Sequence, residues 1–90
     1  MIAALFIVAA CETMPVQEMS DARQAISAAR EAGAADHAAE QLKAAQASLV
    51  NAEKFLSTRN YGVARREALA AKTAAIDALR ICEAARASEN

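Results

Sequence analysis

The sequence predicts an all-α fold: an antiparallel helical hairpin preceded by a shorter N-terminal helix, which together form a small three-helix bundle. Alanine supplies 27 of the 90 residues, and alanine has the highest helix propensity of any residue. One proline and two glycines leave few places where a helix must end. β-branched residues are sparse after position 20, so strands are not expected.

The length and charge of the chain limit the kinds of partner it can have. Ninety residues suffice for a single domain. The net charge is −1 at pH 7, and acidic and basic residues are interspersed along the chain. A nucleic-acid partner is not expected, because its binding surface would need a basic stripe. No run of basic residues of the lipid-binding kind occurs either.

The chain begins with an uncharged apolar run at residues 2–10. As a helix this run would be about 14 Å long, half of the roughly 30 Å hydrocarbon core of a bilayer. It is too short to span a membrane, but its length suits the hydrophobic region of a signal peptide. Residues 1–10 are therefore predicted to be a cleaved signal peptide. No lysine or arginine precedes the run, so either the natural start lies upstream of Met1 or the signal is atypical.

The residues that end this run, Val8, Ala9, Ala10 and Cys11, resemble the lipobox of bacterial lipoproteins. The resemblance implies signal cleavage between Ala10 and Cys11 and lipidation of Cys11. A cysteine is needed because its sulfur carries the diacylglycerol as a thioether, and two or three acyl chains make a durable membrane anchor. The alternative is an ordinary N-terminal helix in which Cys11 is incidental.

The lipobox resemblance also implies a location. In the lipoprotein sorting rule, aspartate after the lipidated cysteine favours retention in the inner membrane, so Glu12 favours the periplasmic face of the outer membrane. Residues 11–19 contain the only proline and show no helical period, which indicates a lipidated cysteine followed by a tether. Residues 12–19 span at most about 26–29 Å. The helical domain, predicted over 20–88, should therefore stay close to the membrane.

A first helix is predicted over about 21–32. Ser20 is its expected N-cap, with Asp21 in the first turn, where negative charge suits the helix dipole. Gly33 follows the helix as a natural C′ residue. The small and apolar residues at helical spacing are Ala22, Ala25, Ile26, Ala29 and Ala32.

A second helix is predicted over about 37–59 with Asp36 as its cap, and a third over about 62–87 after a break at 60–62. Each has one narrow stripe with alternating steps of three and four residues. The stripes are Leu42, Ala45, Leu49, Ala52 and Leu56, then Ala64, Ala68, Ala71, Ala75, Ala78 and Cys82. Because small side chains let helix axes approach closely, we expect the leucines to pack against the alanines in an antiparallel hairpin.

The predicted core is thin, which indicates that a further surface is buried against a partner. The large apolar side chains on the inner faces are Ile26, Leu42, Leu49, Leu56, Leu69, Ile76 and Leu79. Val50 and Phe55 lie off the leucine stripe on opposite flanks of the second helix. Tyr61 is expected to pack across the turn or to meet a partner. These three residues form the candidate interaction surface of a homo-oligomer or of a complex with another envelope protein.

No set of residues points to catalysis, a cofactor or a metal. His37, the only histidine, lacks neighbouring ligands or a catalytic partner and is expected in a loop or at a helix start. Cys82 is expected to be a small buried residue of the alanine stripe rather than an intermolecular disulfide or a reactive thiol. A solvated face is predicted for Asp77, Arg80, Glu83 and Arg86. No Ser-His-Asp set, phosphate loop or CxxC spacing occurs, so an enzyme is not expected.

Five segments carry a wider resemblance: 22–26, 31–35, 39–42, 52–56 and 60–65. Together they resemble alanine-rich bacterial lipoproteins of domain-of-unknown-function family 4398. The resemblance implies a periplasm-facing helical protein and no established activity.

The preferred interpretation is a lipid-anchored structural or protein-interaction module of the envelope, without catalysis. One alternative is an alanine-zipper oligomer that acts as a spacer between the outer membrane and the cell wall. The break at 60–62 disfavours a continuous rod, and the chain ends in Asn90 rather than in a lysine that could attach to peptidoglycan. A remote alternative, a small-molecule or metal carrier, lacks ligands and aromatic residues.

Overall fold

The computed structural model describes residues 13–89, and within that range the regular structure is entirely helical. The helices are α1 (Val16–Glu31), α2 (Ala34–His37), α3 (Ala39–Ser57) and α4 (Tyr61–Ser88). The most extensive packing is between α3 and α4, and α1 lies mainly against α4. The all-α class and the hairpin with a shorter leading helix are therefore confirmed. The predicted signal peptide lies outside the described residues.

The direction of the helices follows from which residues meet in the core. Met19 clusters with Ala52 and Ala68, whereas Ile26, further along α1, clusters with Ala45 and Ala75. As the residue numbers rise along α1, they fall along α3 and rise along α4. Helices α1 and α4 are thus parallel to each other, and α3 is antiparallel to both.

The alanine stripe of α4 is the seam of the bundle. All six of its predicted members are buried: Ala64, Ala68, Ala71, Ala75, Ala78 and Cys82. Leu42 of α3 belongs to the same cluster as Ala75, Ala78 and Cys82, and Leu49 packs against this cluster and against the smaller one around Met19. The expected packing of leucines against alanines is confirmed for Leu42 and Leu49, whereas Leu56 is half-buried and belongs to neither cluster. Small side chains on α4 leave room for two other helices to lie against it.

Helix α1 begins earlier than predicted. It starts at Val16 after Pro15, so Ser20 lies inside the helix and is not its N-cap, and residues 16–19 are not part of a tether. Pro15 is fully buried and Met19 is buried as well. Met19 packs against Ala52 of α3 and Ala68 of α4, and its burial favours a helix that begins five residues before the predicted start at 21.

The connection between α1 and α3 contains an additional short helix. Gly33 adopts a left-handed conformation with φ 95°, and its N–H donates to the Arg30 carbonyl over 3.0 Å. This confirms Gly33 as the residue that ends α1. Asp36 lies within α2 and does not cap the next helix, which starts after Ala38 without a side-chain cap. Ala34 and Ala38 are both buried, so the methyl groups of this connection hold it against the core.

The turn between α3 and α4 occupies residues 58–60 rather than 60–62. Arg59 has φ 61°. The Arg59 N–H donates to the Leu56 carbonyl over 3.1 Å, and the Asn60 N–H donates to the Phe55 carbonyl over 2.8 Å. This is the hydrogen-bond pattern of a Schellman motif, with an arginine in the left-handed position where glycine is usual.

Of the seven large side chains predicted on the inner faces, only Ile26 and Leu42 are buried, whereas the predicted charged face is confirmed. Leu49, Leu56, Ile76 and Leu79 are half-buried. Leu69 is 46% exposed, because it directly follows Ala68 of the seam and is turned about 100° away from it. The four residues of the predicted solvated face are all exposed: Asp77, Arg80, Glu83 and Arg86.

Candidate functional site

Ala10 and Cys11, the predicted cleavage and lipidation residues, lie outside the described residues. The chain that follows them is attached to the bundle through Arg65 of α4. Its Nη2 donates to the Thr13 carbonyl over 2.9 Å, and its Nε donates to Glu18 Oε2 over 3.1 Å. The chain therefore enters the fold at the same end of the bundle as the turn between α3 and α4. We call this end, residues 13–23 and 48–73, the turn end, and the opposite end, residues 24–47 and 74–89, the far end.

The three residues of the predicted interaction surface do not form one patch. Val50 is 60% exposed and lies beside the gap between α1 and α3. Phe55 and Tyr61 are half-buried on either side of the turn at 58–60. The prediction that Val50 lies off the packed face is confirmed. Whether any of the three meets a partner remains a prediction.

A shallow apolar groove runs between α1 and α3, which pack less extensively against each other than either packs against α4. One part of the groove has a volume of about 380 Å³ and is lined by Ile26, Leu49 and Val50 with polar side chains around them. When the Gln46 amide is oriented to accept, Arg30 Nη2 lies 2.7 Å from its oxygen. This contact bridges the groove in the far half of the bundle.

The second part of the groove, about 120 Å³, opens at the turn end. Its lining residues are Met14, Pro15, Val16, Met19, Arg23 and Leu56. Four of these residues, Met14, Pro15, Val16 and Met19, were predicted to belong to a tether over 11–19 and not to the bundle. The spacing did contain a signal, because Met19 stands three residues before Ala22 and so extends the three-four alternation of α1 back towards Pro15.

The remaining candidate residues show no cluster of chemical groups. Cys82 is a free cysteine and 2% exposed, which confirms its prediction as a buried residue of the seam. His37 is exposed at the end of α2. Among residues 13–89 there is no group of three or more His, Cys, Asp or Glu side chains that could hold a metal ion. None of the described helices is long and apolar enough to cross a membrane.

Comparison with family models, curated proteins and solved structures finds no match to the chain. The resemblance to domain-of-unknown-function family 4398 therefore stays a prediction from the motifs quoted above.

Proposed function

We propose that the chain is a lipoprotein of the bacterial envelope, anchored through lipid on Cys11 and facing the periplasm from the outer membrane. The carrying observation is the position of the lipobox-like residues 8–11, which end four residues before Pro15, where the helical domain begins. In this proposal the helical domain is a structural or protein-interaction module and performs no catalysis.

The short distance between the candidate anchor and the bundle supports this arrangement. The helical domain includes residues that would otherwise belong to a flexible tether, since Pro15 is buried and Thr13 is hydrogen-bonded to Arg65. Pro15 is four positions after Cys11, and four positions span at most about 14 Å when fully extended. A lipid on Cys11 would therefore hold the bundle against the membrane surface.

The incomplete burial of apolar side chains supports the interaction role. Large side chains are few in the core, where alanines predominate. Among residues 13–89, no helix covers the apolar surface formed by Val50 and the α1–α3 groove beside it. We propose that this surface is covered by a second copy of the chain or by another envelope protein. A continuous spacer rod is less favoured, because the turn at 58–60 folds α4 back along α3.

The anchor is tested by mass spectrometry of the N-terminus of the protein isolated from a bacterial envelope. The expected product begins at Cys11 and carries the mass of a diacylglyceryl group and an additional acyl chain. Cys11→Ser should abolish the modification. Cys82→Ser is the matched control, since this cysteine is buried in the seam, and it should leave the modification intact. Full-length protein with an unmodified Cys11 thiol would refute the anchor.

Two further measurements test the location and the partner. Fractionation should place the protein in the outer membrane, and Glu12→Asp should shift it towards the inner membrane. A photoreactive amino acid at Val50 should crosslink to a discrete partner in intact cells, whereas one at the exposed Ala70 of α4 should not. Equal crosslinking from both positions would contradict a specific interface at the groove.

A further inference from the structure

We infer that the turn end of the bundle lies directly on an anionic lipid surface, with Met14 and Val16 in the interfacial layer and basic side chains against the headgroups. This inference rests on the proposed anchor at Cys11, because the anchor brings that end to the bilayer.

The first step is the reach of the chain. The Thr13 carbonyl is held by Arg65 at the start of α4, and Thr13 is only two positions after Cys11. That segment extends at most about 7 Å. The headgroup layer on each side of a bilayer is itself about 5–7 Å thick. An acylated Cys11 therefore leaves no room for a layer of water between the turn end and the headgroups.

The second step is the apolar surface that faces the exit of the chain. Val16 is 67% exposed and Met14 is 51% exposed. Both line the open part of the groove beside Leu56. Exposed apolar side chains at this end would be removed from water in the boundary between headgroups and acyl chains. The membrane thus provides a cover for the groove where it opens at the turn end.

The third step is the distribution of charge, which the fold separates although the sequence intersperses it. The turn end has six basic and four acidic side chains, and Glu12 beside the anchor adds one more acid, whereas the far end has four basic and six acidic side chains. Two of the four acids at the turn end are already paired: Glu18 with Arg65, and Asp21 with Lys72 over 3.8 Å. The basic groups exposed at the turn end are Arg23, Lys54, Arg59 and Arg66.

This charge favours a lipid surface over a second copy bound through the same end. Two turn ends in contact would bring like charges together, which is unfavourable at an interface. A leaflet that contains anionic lipids attracts basic side chains, and each one near the surface strengthens binding about fivefold.

The test uses the full chain with Cys11→Ser, so that no acyl chain contributes. Binding is measured by co-sedimentation with vesicles of phosphatidylcholine and with vesicles in which a third of the lipid is phosphatidylglycerol. The apolar residues 2–10 contribute equally to binding of both kinds of vesicle. The ratio of the two partition coefficients therefore reports the effect of headgroup charge. The expected result is stronger binding to the anionic vesicles, decreasing as salt is added.

Paired charge reversals locate the binding surface. Arg59→Glu with Arg66→Glu should lower partitioning onto anionic vesicles at least about 25-fold, from about fivefold for each basic group lost. Arg80→Glu with Arg86→Glu makes the same change in net charge at the far end, on residues that are also exposed, and should have a much smaller effect. Equal losses for the two pairs would overturn the inference.

A tryptophan reporter measures depth, since the chain contains no tryptophan. Val16→Trp should shift its fluorescence to the blue and be quenched by lipids with brominated acyl chains, whereas Ile81→Trp, near the C-terminus of α4, should not. If neither reporter responds, the docking is refuted even when mass spectrometry finds Cys11 acylated. A response of Val16→Trp in a protein whose native Cys11 is unmodified would instead refute the anchor alone.

Discussion

The alanine seam of α4 makes a strong prediction about the size of side chain that the bundle tolerates. Ala75 has no exposed surface and lies in the main cluster with Ile26, Ala45 and Ala78. Replacing Ala75 with leucine adds three carbon atoms at the point where α4 faces the other helices. Ala75 lines neither part of the α1–α3 groove, so the neighbouring helices would have to move apart.

The magnitude follows from the cost of overpacking. Inserting extra methylene groups into a packed core costs about 1–3 kcal/mol, and three additional carbons among alanines place Ala75→Leu near the upper end of that range. In a domain of this size, 1 kcal/mol changes Tm by about 4–8 °C. We therefore expect Ala75→Leu to lower the free energy of unfolding by about 2–3 kcal/mol and Tm by about 10–20 °C.

The measurement is urea and thermal unfolding followed by circular dichroism at the helix band. Ala70→Leu is the matched control, because Ala70 lies on the same helix but is exposed. Its stability should change by no more than about 0.5 kcal/mol, since leucine and alanine have similar helix propensities. If Ala75→Leu were as stable as the wild type, with the same dependence on urea, close packing along the seam would not be what holds the helices together.

The remaining predictions concern backbone conformation, core size and accessibility. Gly33→Ala should destabilise the protein by about 1–2 kcal/mol because of its left-handed backbone, whereas Arg59→Gly should stabilise it by about 0.5–1 kcal/mol by removing the same strain at a small entropic cost. Ile26→Ala, which empties a buried site, should cost about 2–5 kcal/mol, and Leu69→Ala, at an exposed site, less than about 1 kcal/mol. The Cys82 thiol should react with an aromatic disulfide reagent only as fast as the protein unfolds, because the side chain is buried. The stabilities of the four variants are measured by urea denaturation. The reactivity of Cys82 is measured by labelling kinetics in increasing urea.

A specific experimental result would contradict each of these predictions. A stabilising Gly33→Ala or a destabilising Arg59→Gly would contradict the left-handed geometry at that position. If Ile26→Ala and Leu69→Ala lowered the free energy of unfolding equally, Ile26 would not be a residue of the hydrophobic core. Rapid labelling of Cys82 in the native protein, in the Cys11→Ser background, would mean that the seam opens without global unfolding.

Features that depend on the local sequence were predictable. The alternation of three and four residues identified all six buried positions of α4, because a regular helix places such positions on one face. Gly33 ended α1 as expected, since a left-handed residue at that position is least costly for glycine. The short link between two long amphipathic segments allowed only an antiparallel hairpin.

Other features were decided by the neighbours that a residue meets in the fold. Residues 16–19 carry a weak local signal for helix, and burial of Met19 against Ala52 of α3 and Ala68 of α4 favours the extension of α1 back to Val16. The hydrogen bonds that close the turn at 58–60 place the left-handed conformation at Arg59 rather than at a glycine.

The sequence by itself therefore determined the helical class, the seam and the lipobox-like N-terminus, because these follow from residue type and spacing. Only the tertiary structure decided the groove between α1 and α3, the pairing of Arg65 with Glu18 and the separation of charge between the two ends. The physical reason is that each of these joins residues far apart in the chain. Their proximity depends on how closely three helices pack, and no local pattern specifies that distance.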